Sequence, residues 1–188
     1  MTLIELLIAL ALFSMIILAA SSMQVFGHNQ LVTGQRRAKL QNELTILVGH
    51  MKRQALRTIG TSANNDVQIQ NPGLGGYPCL YLYIDANANG VRNAPPADHL
   101  VAYLHQIALS QVWFYANAGG AGAINFGGAH EVIASGITAI GWAIAANTNF
   151  VTLTGLTARW IPAQACYSAN NPCVVMDSAI YMPSLSTN

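Results

Sequence analysis

Residues 3–20 read Leu-Ile-Glu-Leu-Leu-Ile-Ala-Leu-Ala-Leu-Phe-Ser-Met-Ile-Ile-Leu-Ala-Ala, an apolar run interrupted only by Glu5 and Ser14. Leu, Ile and Ala fill every side of a helix drawn through it, so no polar face exists. A helix that is apolar all round is either buried deep in protein or placed in lipid. About 20 such residues span the hydrocarbon of a bilayer. A secretory signal would carry a basic stretch before the run and a small-residue cleavage site after it. Nothing basic precedes this run and no A-x-A pattern follows it, so the expectation is a membrane-spanning helix.

Outward from that run, the chain of 188 residues is 53% hydrophobic and only 8% charged, where a quarter charged is usual. Such a chain is not disordered, since disorder needs high charge and low hydrophobicity. A net charge of +1 argues against a nucleic-acid binder that works through bulk electrostatics. The charge is unevenly spread. Residues 1–57 hold six of the eight basic groups (Arg36, Arg37, Lys39, Lys52, Arg53, Arg57) against Glu5 and Glu43. Residues 58–188 hold Arg92 and Arg159 against Asp66, Asp85, Asp98, Glu131 and Asp177. All seven prolines follow residue 70. The N-terminal third therefore reads as continuous helix, and the rest as strands and loops.

Glu5 stands out in the apolar run. A carboxylate inside a membrane helix is costly and usually functional, but the fifth residue lies only about 6 Å from the chain end along the axis. One reading is an interfacial residue favoured by the helix dipole. The sharper one is a charge that seeks the α-amino group of a neighbouring chain. Met1-Thr2-Leu3-Ile4-Glu5-Leu6, followed by the apolar run, resembles the mature N-terminus of type IV pilins and type II secretion pseudopilins. In that family a prepilin peptidase removes a short leader and methylates the new first residue, and Glu occupies the fifth position. The resemblance covers about the first 25 residues and assigns processing and methylation to Met1, and assembly to Met1 and Glu5.

The resemblance also implies partners. Subunits wait in the inner membrane and are extracted by pilus or secretion machinery into a helical homopolymer cored by these helices. Lipid-to-protein transfer yields little hydrophobic gain, so packing and a buried charge pair would set register. Many pilins carry a proline near position 22; here Ser21-Ser22 and Gly27 are weaker breakers.

Further along, Leu40, Leu44, Leu47, Met51 and Ala55 keep the spacing of one helical face. The six basic residues fall largely off that stripe. This predicts an amphipathic half packed under a head with a solvated basic side; a basic seam facing acidic surfaces of neighbouring subunits, or DNA, is the sharper alternative. A helix over 2–58 would be ~85 Å long.

In the head, β-type runs recur at 67–69, 79–84, 100–108, 111–116, 137–145, 150–154 and 173–181, separated by clusters such as 71–78 (NPGLGGYP). They predict an antiparallel sheet of short strands lying on the amphipathic half of the helix. The aromatic runs 79–84 and 111–115 are expected to pack the core. The fold class is α+β, divided as 1–27 membrane or filament-core helix, 28–58 amphipathic helix and 59–188 β-rich head.

Asp85, Asn87, Asn89, Val91 and Asn93, with Gly90 at the sixth place, match the first part of a calcium loop. The twelfth place is Pro96 rather than Glu, and Asp98 is the available substitute. The same segment also reads as a hairpin built on Asn89-Gly90. Cys166 and Cys173 flank six residues that include Asn170-Asn171-Pro172 and would close a loop, as a C-terminal disulfide does in many pilins. Cys79 would then be a buried thiol, although spacing alone leaves its pairing with either of the others open.

No G-x-S-x-G, G-x-x-x-x-G-K or H-E-x-x-H occurs, and the five histidines form no ligand motif. The chain does not read as an enzyme. The expectation is a structural subunit of a type IV pilus-like filament, with a secretion pseudopilin as the alternative and a membrane-anchored binding module as the third class.

Overall fold

The computed structural model describes residues 2–58, 67–70, 77–86, 98–118, 129–144, 150–167 and 171–182. One helix, α1 (Leu3–Ala55), runs unbroken for 53 residues, about 80 Å at 1.5 Å per residue. It stops three residues short of the expected end, with Leu56 as its C-cap. The weak breakers do not interrupt it. The Ser21 hydroxyl donates to the Ile17 carbonyl at 2.8 Å, and that of Ser22 to Ala19 at 2.8 Å. Each hydroxyl finds an acceptor on the helix itself and needs no other partner.

The two halves of α1 meet different surroundings. From Leu3 to Phe26 every side chain is exposed. Leu40, Leu44, Leu47, Met51 and Ala55, the predicted stripe, are the buried residues of the helix. They enter the main core with Leu80, Leu82 and Ile84 from one sheet and Val151, Leu153 and Leu156 from another.

The single expected sheet is in fact two. Strands β1 (Val67–Gln70), β2 (Cys79–Asp85), β3 (Asp98–Gln106), β4 (Gln111–Tyr115) and β5 (Glu131–Ser135) form a five-stranded antiparallel meander in chain order. Strands β6 (Ile137–Ile144), β7 (Phe150–Arg159) and β8 (Cys173–Tyr181) form a second, three-stranded one. The helix lies against β8, β5, β7 and β2, so it packs on both sheets. The expected strand over 100–108 ends at Gln106, and Ile107–Leu109 turn as a 3-10 helix.

The chain changes sheets at Gly136, whose φ of +77° suits glycine. A Cβ there would sit 2.9 Å from the Arg159 carbonyl oxygen. Strand β5 was not expected, and β7 continues past the expected end at Thr154. Gly155, at φ +60°, makes a bulge between Leu153 and Leu156. Its N–H donates to Asp177 Oδ1 at 2.6 Å, so the strand bends and resumes instead of ending.

Strands β2 and β3 of the five-stranded sheet are buried on both faces. Cys79, Tyr81, Ala102, Leu104 and Tyr115 form a second cluster, away from the helix-side core. This places the two aromatic runs in packing roles, as expected.

Candidate functional site

The N-terminal end of α1 is built by local chemistry. Thr2 caps the helix: the Glu5 N–H donates to Thr2 Oγ1 at 3.4 Å, and the Thr2 N–H donates to the Glu5 carboxylate at 2.7 Å. This reciprocal capping box satisfies two amide donors that would otherwise lack partners. Glu5 therefore has a definite task in the single chain, which the sequence reading had not assigned to it. Met1 lies outside the described residues.

The face that follows has no cover. Leu7, Leu10, Phe13, Ile17 and Val25 are all exposed, and the helix is long and apolar enough to cross a membrane. Exposed apolar surface on this scale marks an interaction site or a membrane segment.

The helix and head are joined at the base by polar and aromatic contacts. The Ser135 N–H donates to Glu43 Oε2 at 3.3 Å. Trp160, just beyond β7, has the Arg36 guanidinium 5.3 Å and the Lys39 ammonium 5.4 Å from its ring centre. A hollow of about 190 Å³ lies here, lined by Lys39, Leu40, Glu43, Ser135, Gly136, Arg159 and Trp160. The i, i+3 spacing of Arg36 and Lys39 was legible as one helical face; their aromatic partner was not.

At the other end of the helix, the Asp85 N–H donates to the Arg57 carbonyl at 2.9 Å, which ties α1 to β2. His50 Nδ1 lies 2.7 Å from the Tyr103 hydroxyl, and its ring meets Phe114 edge-on. Burial, then the Arg53 charge, hold the His50 pKa below its ordinary value, and Glu131 opposes them. Burial pushes the Tyr103 hydroxyl above its usual range, with Arg53 opposing. Beside this group is a hollow of about 470 Å³ lined by His50, Arg53, Gln54, Leu56 and Arg57.

Of the calcium set, Asp85 and Asp98 stand directly opposite each other where β2 and β3 pair. Asn87, Asn89, Val91 and Asn93 lie outside the described residues, as does the Asn89-Gly90 turn. Among the described residues no three His, Cys, Asp or Glu side chains gather as a metal site.

Cys166 and Cys173 are joined by a disulfide, with Cα atoms 5.4 Å apart. Cys79 stays outside it and is buried, with its thiol 3.3 Å from the Tyr77 carbonyl. The loop also has a non-covalent brace that sequence reasoning missed. Asn171 is fully buried. Its Oδ1 accepts from the Ile161 N–H at 2.6 Å, and its Nδ2 faces the carbonyls of Ile161, Gln164 and Ala165 at 3.0–3.1 Å. Asn-Pro signalled only a turn.

No family model matches the chain, and comparisons with curated proteins and with solved structures return no significant match.

Proposed function

We propose that this chain is a structural subunit of a helical filament of the type IV pilin kind, assembled through the apolar half of α1. The observation that carries the reading is the division of one helix. Residues 3–26 project bare, while Leu40 to Ala55 lock the remainder beneath a β-rich head. A helix of this form resides in a membrane as a single subunit and bundles with its copies when the head is drawn out. The resemblance of residues 1–6 to mature pilins points the same way. So does a head that carries few charges, which lets neighbouring copies approach without repulsion.

In the filament, the Glu5 carboxylate would exchange the Thr2 N–H for the terminal ammonium of an adjacent copy. Breaking a buried pair of that kind costs about 3–5 kcal/mol. The test is Glu5→Ala beside Glu5→Gln, because the amide of Gln still accepts from Thr2 and preserves the cap. Both variants are expected in the membrane fraction, with filament yield seen by electron microscopy severely reduced in each. Normal filaments from Glu5→Gln would refute the charge-pair mechanism, and normal filaments from both would refute the assignment. Mass spectrometry of the native N-terminus, with a methyl group on Met1, tests processing independently.

A further inference from the structure

We propose that the base of the head is a lipid-facing collar, in which Trp160 and the cations Arg36, Arg37 and Lys39 dock on anionic phospholipid headgroups. The inference rests on the reading that the bare half of α1 crosses a membrane.

The collar's position along the helix is the first argument. With Glu5 in one headgroup layer, the hydrocarbon core of about 20 residues runs to Val25 or Phe26. Arg36 then lies ten residues further, about 15 Å along the axis. The headgroup layer accounts for about 5–8 Å of that distance. Helical side chains lean toward the N-terminus, here toward the membrane, so the long Arg36 and Arg37 stems reach back toward the headgroup edge.

The second argument is chemical. Trp160 is 37% exposed, and the Arg36 and Lys39 charges lie 5.3 and 5.4 Å from its ring centre. Arg37, the next residue along the helix, is exposed. One acid, Glu43, lies beside Lys39 and accepts from the Ser135 N–H, and with Arg36, Arg37 and Lys39 the group stays net positive. A part-exposed indole flanked by cations suits the outer edge of a membrane interface, where the cations meet phosphates. Within the chain, the same contacts clamp helix to head. A clamp alone would not respond to lipid charge, and this separates the two roles.

The experiment places the full chain in nanodiscs that contain a headgroup spin-labelled lipid, in a background either wholly zwitterionic or about one-third phosphatidylglycerol. Tryptophan quenching is compared between wild type and Trp160→Phe, which isolates Trp160 from Trp113 and Trp142. The Trp160 contribution is expected to rise about twofold in anionic discs. It is expected to vanish at about 1 M salt, where the Debye length is about 3 Å, and in the Arg36→Gln/Arg37→Gln/Lys39→Gln variant. Equal quenching in both backgrounds overturns the collar while leaving the membrane reading standing. Failure of the chain to enter discs overturns both. A saturable response of Trp160 to duplex DNA in zwitterionic discs, without a response to anionic lipid, assigns the cations to nucleic acid and overturns the lipid proposal.

Discussion

Replacing Asn171 by alanine is expected to destabilise the head at least as much as removing the Cys166–Cys173 disulfide. The disulfide closes a short loop, its cysteines being seven positions apart. Chain entropy makes such a closure worth about 2.5 kcal/mol. Asn171 is fully buried and sits in four short polar contacts, two of them to Ile161. Alanine leaves the Ile161 N–H and up to three carbonyls without that partner, and each buried group so stranded costs about 1–3 kcal/mol. Allowing for partial relaxation, a loss of about 3 kcal/mol follows, or about 6–12 °C in Tm for a chain of this size. Asn171→Asp should be no better, because it turns a carboxylate oxygen toward three carbonyl oxygens. The assay is a thermal melt of the full chain in detergent, followed by circular dichroism, for Asn171→Ala, Cys166→Ser/Cys173→Ser and their combination. The two lesions share one loop, so their costs should not add. A melt for Asn171→Ala within a degree or two of wild type would refute the reasoning and leave the covalent bond as the brace.

Two further predictions concern the core. Leu47 is fully buried between helix and sheets, so Leu47→Ala should cost about 2–5 kcal/mol and lower the denaturant midpoint without changing the slope. An unchanged midpoint would contradict the packing. His105 is buried, with Nε2 2.9 Å from the Ile137 carbonyl; burial lowers its pKa and that carbonyl partly opposes the shift. Below pH ~6.5 the unfolded chain takes up a proton that the folded chain refuses, so stability falls as pH drops below that value and is insensitive to this group above it. His50 shifts in the same direction. His105→Gln should therefore flatten the loss of Tm between about pH 7 and 5 without abolishing it, and an unaltered slope would refute the assignment.

Much of this architecture is legible in the sequence. The membrane-length helix follows from a run with no polar side, and the stripe Leu40, Leu44, Leu47, Met51 and Ala55 follows from its spacing. All five are buried as read. The disulfide pairing is the one favoured at the outset. The misreadings have local causes. The expected strand over 150–154 stops short because the next residue, Gly155, interrupts the run; the Asp177 carboxylate captures its N–H, and the strand bulges there and continues. Strand β5 went unrecognised because Glu131–Ser135 is short and its inward-facing residue, Ala134, is small.

The charge-poor, apolar sequence by itself determined that one helix would have two kinds of surroundings, because hydrophobic periodicity is written in neighbouring residues and needs no distant partner. It also determined that short strands would follow, from alternation and turn residues. Only the tertiary structure decided that those strands divide into two sheets at Gly136. The same is true of Trp160 lying between Arg36 and Lys39, and of Asn171 bracing the disulfide loop. These depend on which distant backbone groups and rings approach one another, and that is settled when the helix stripe and both sheets compete for the same buried volume.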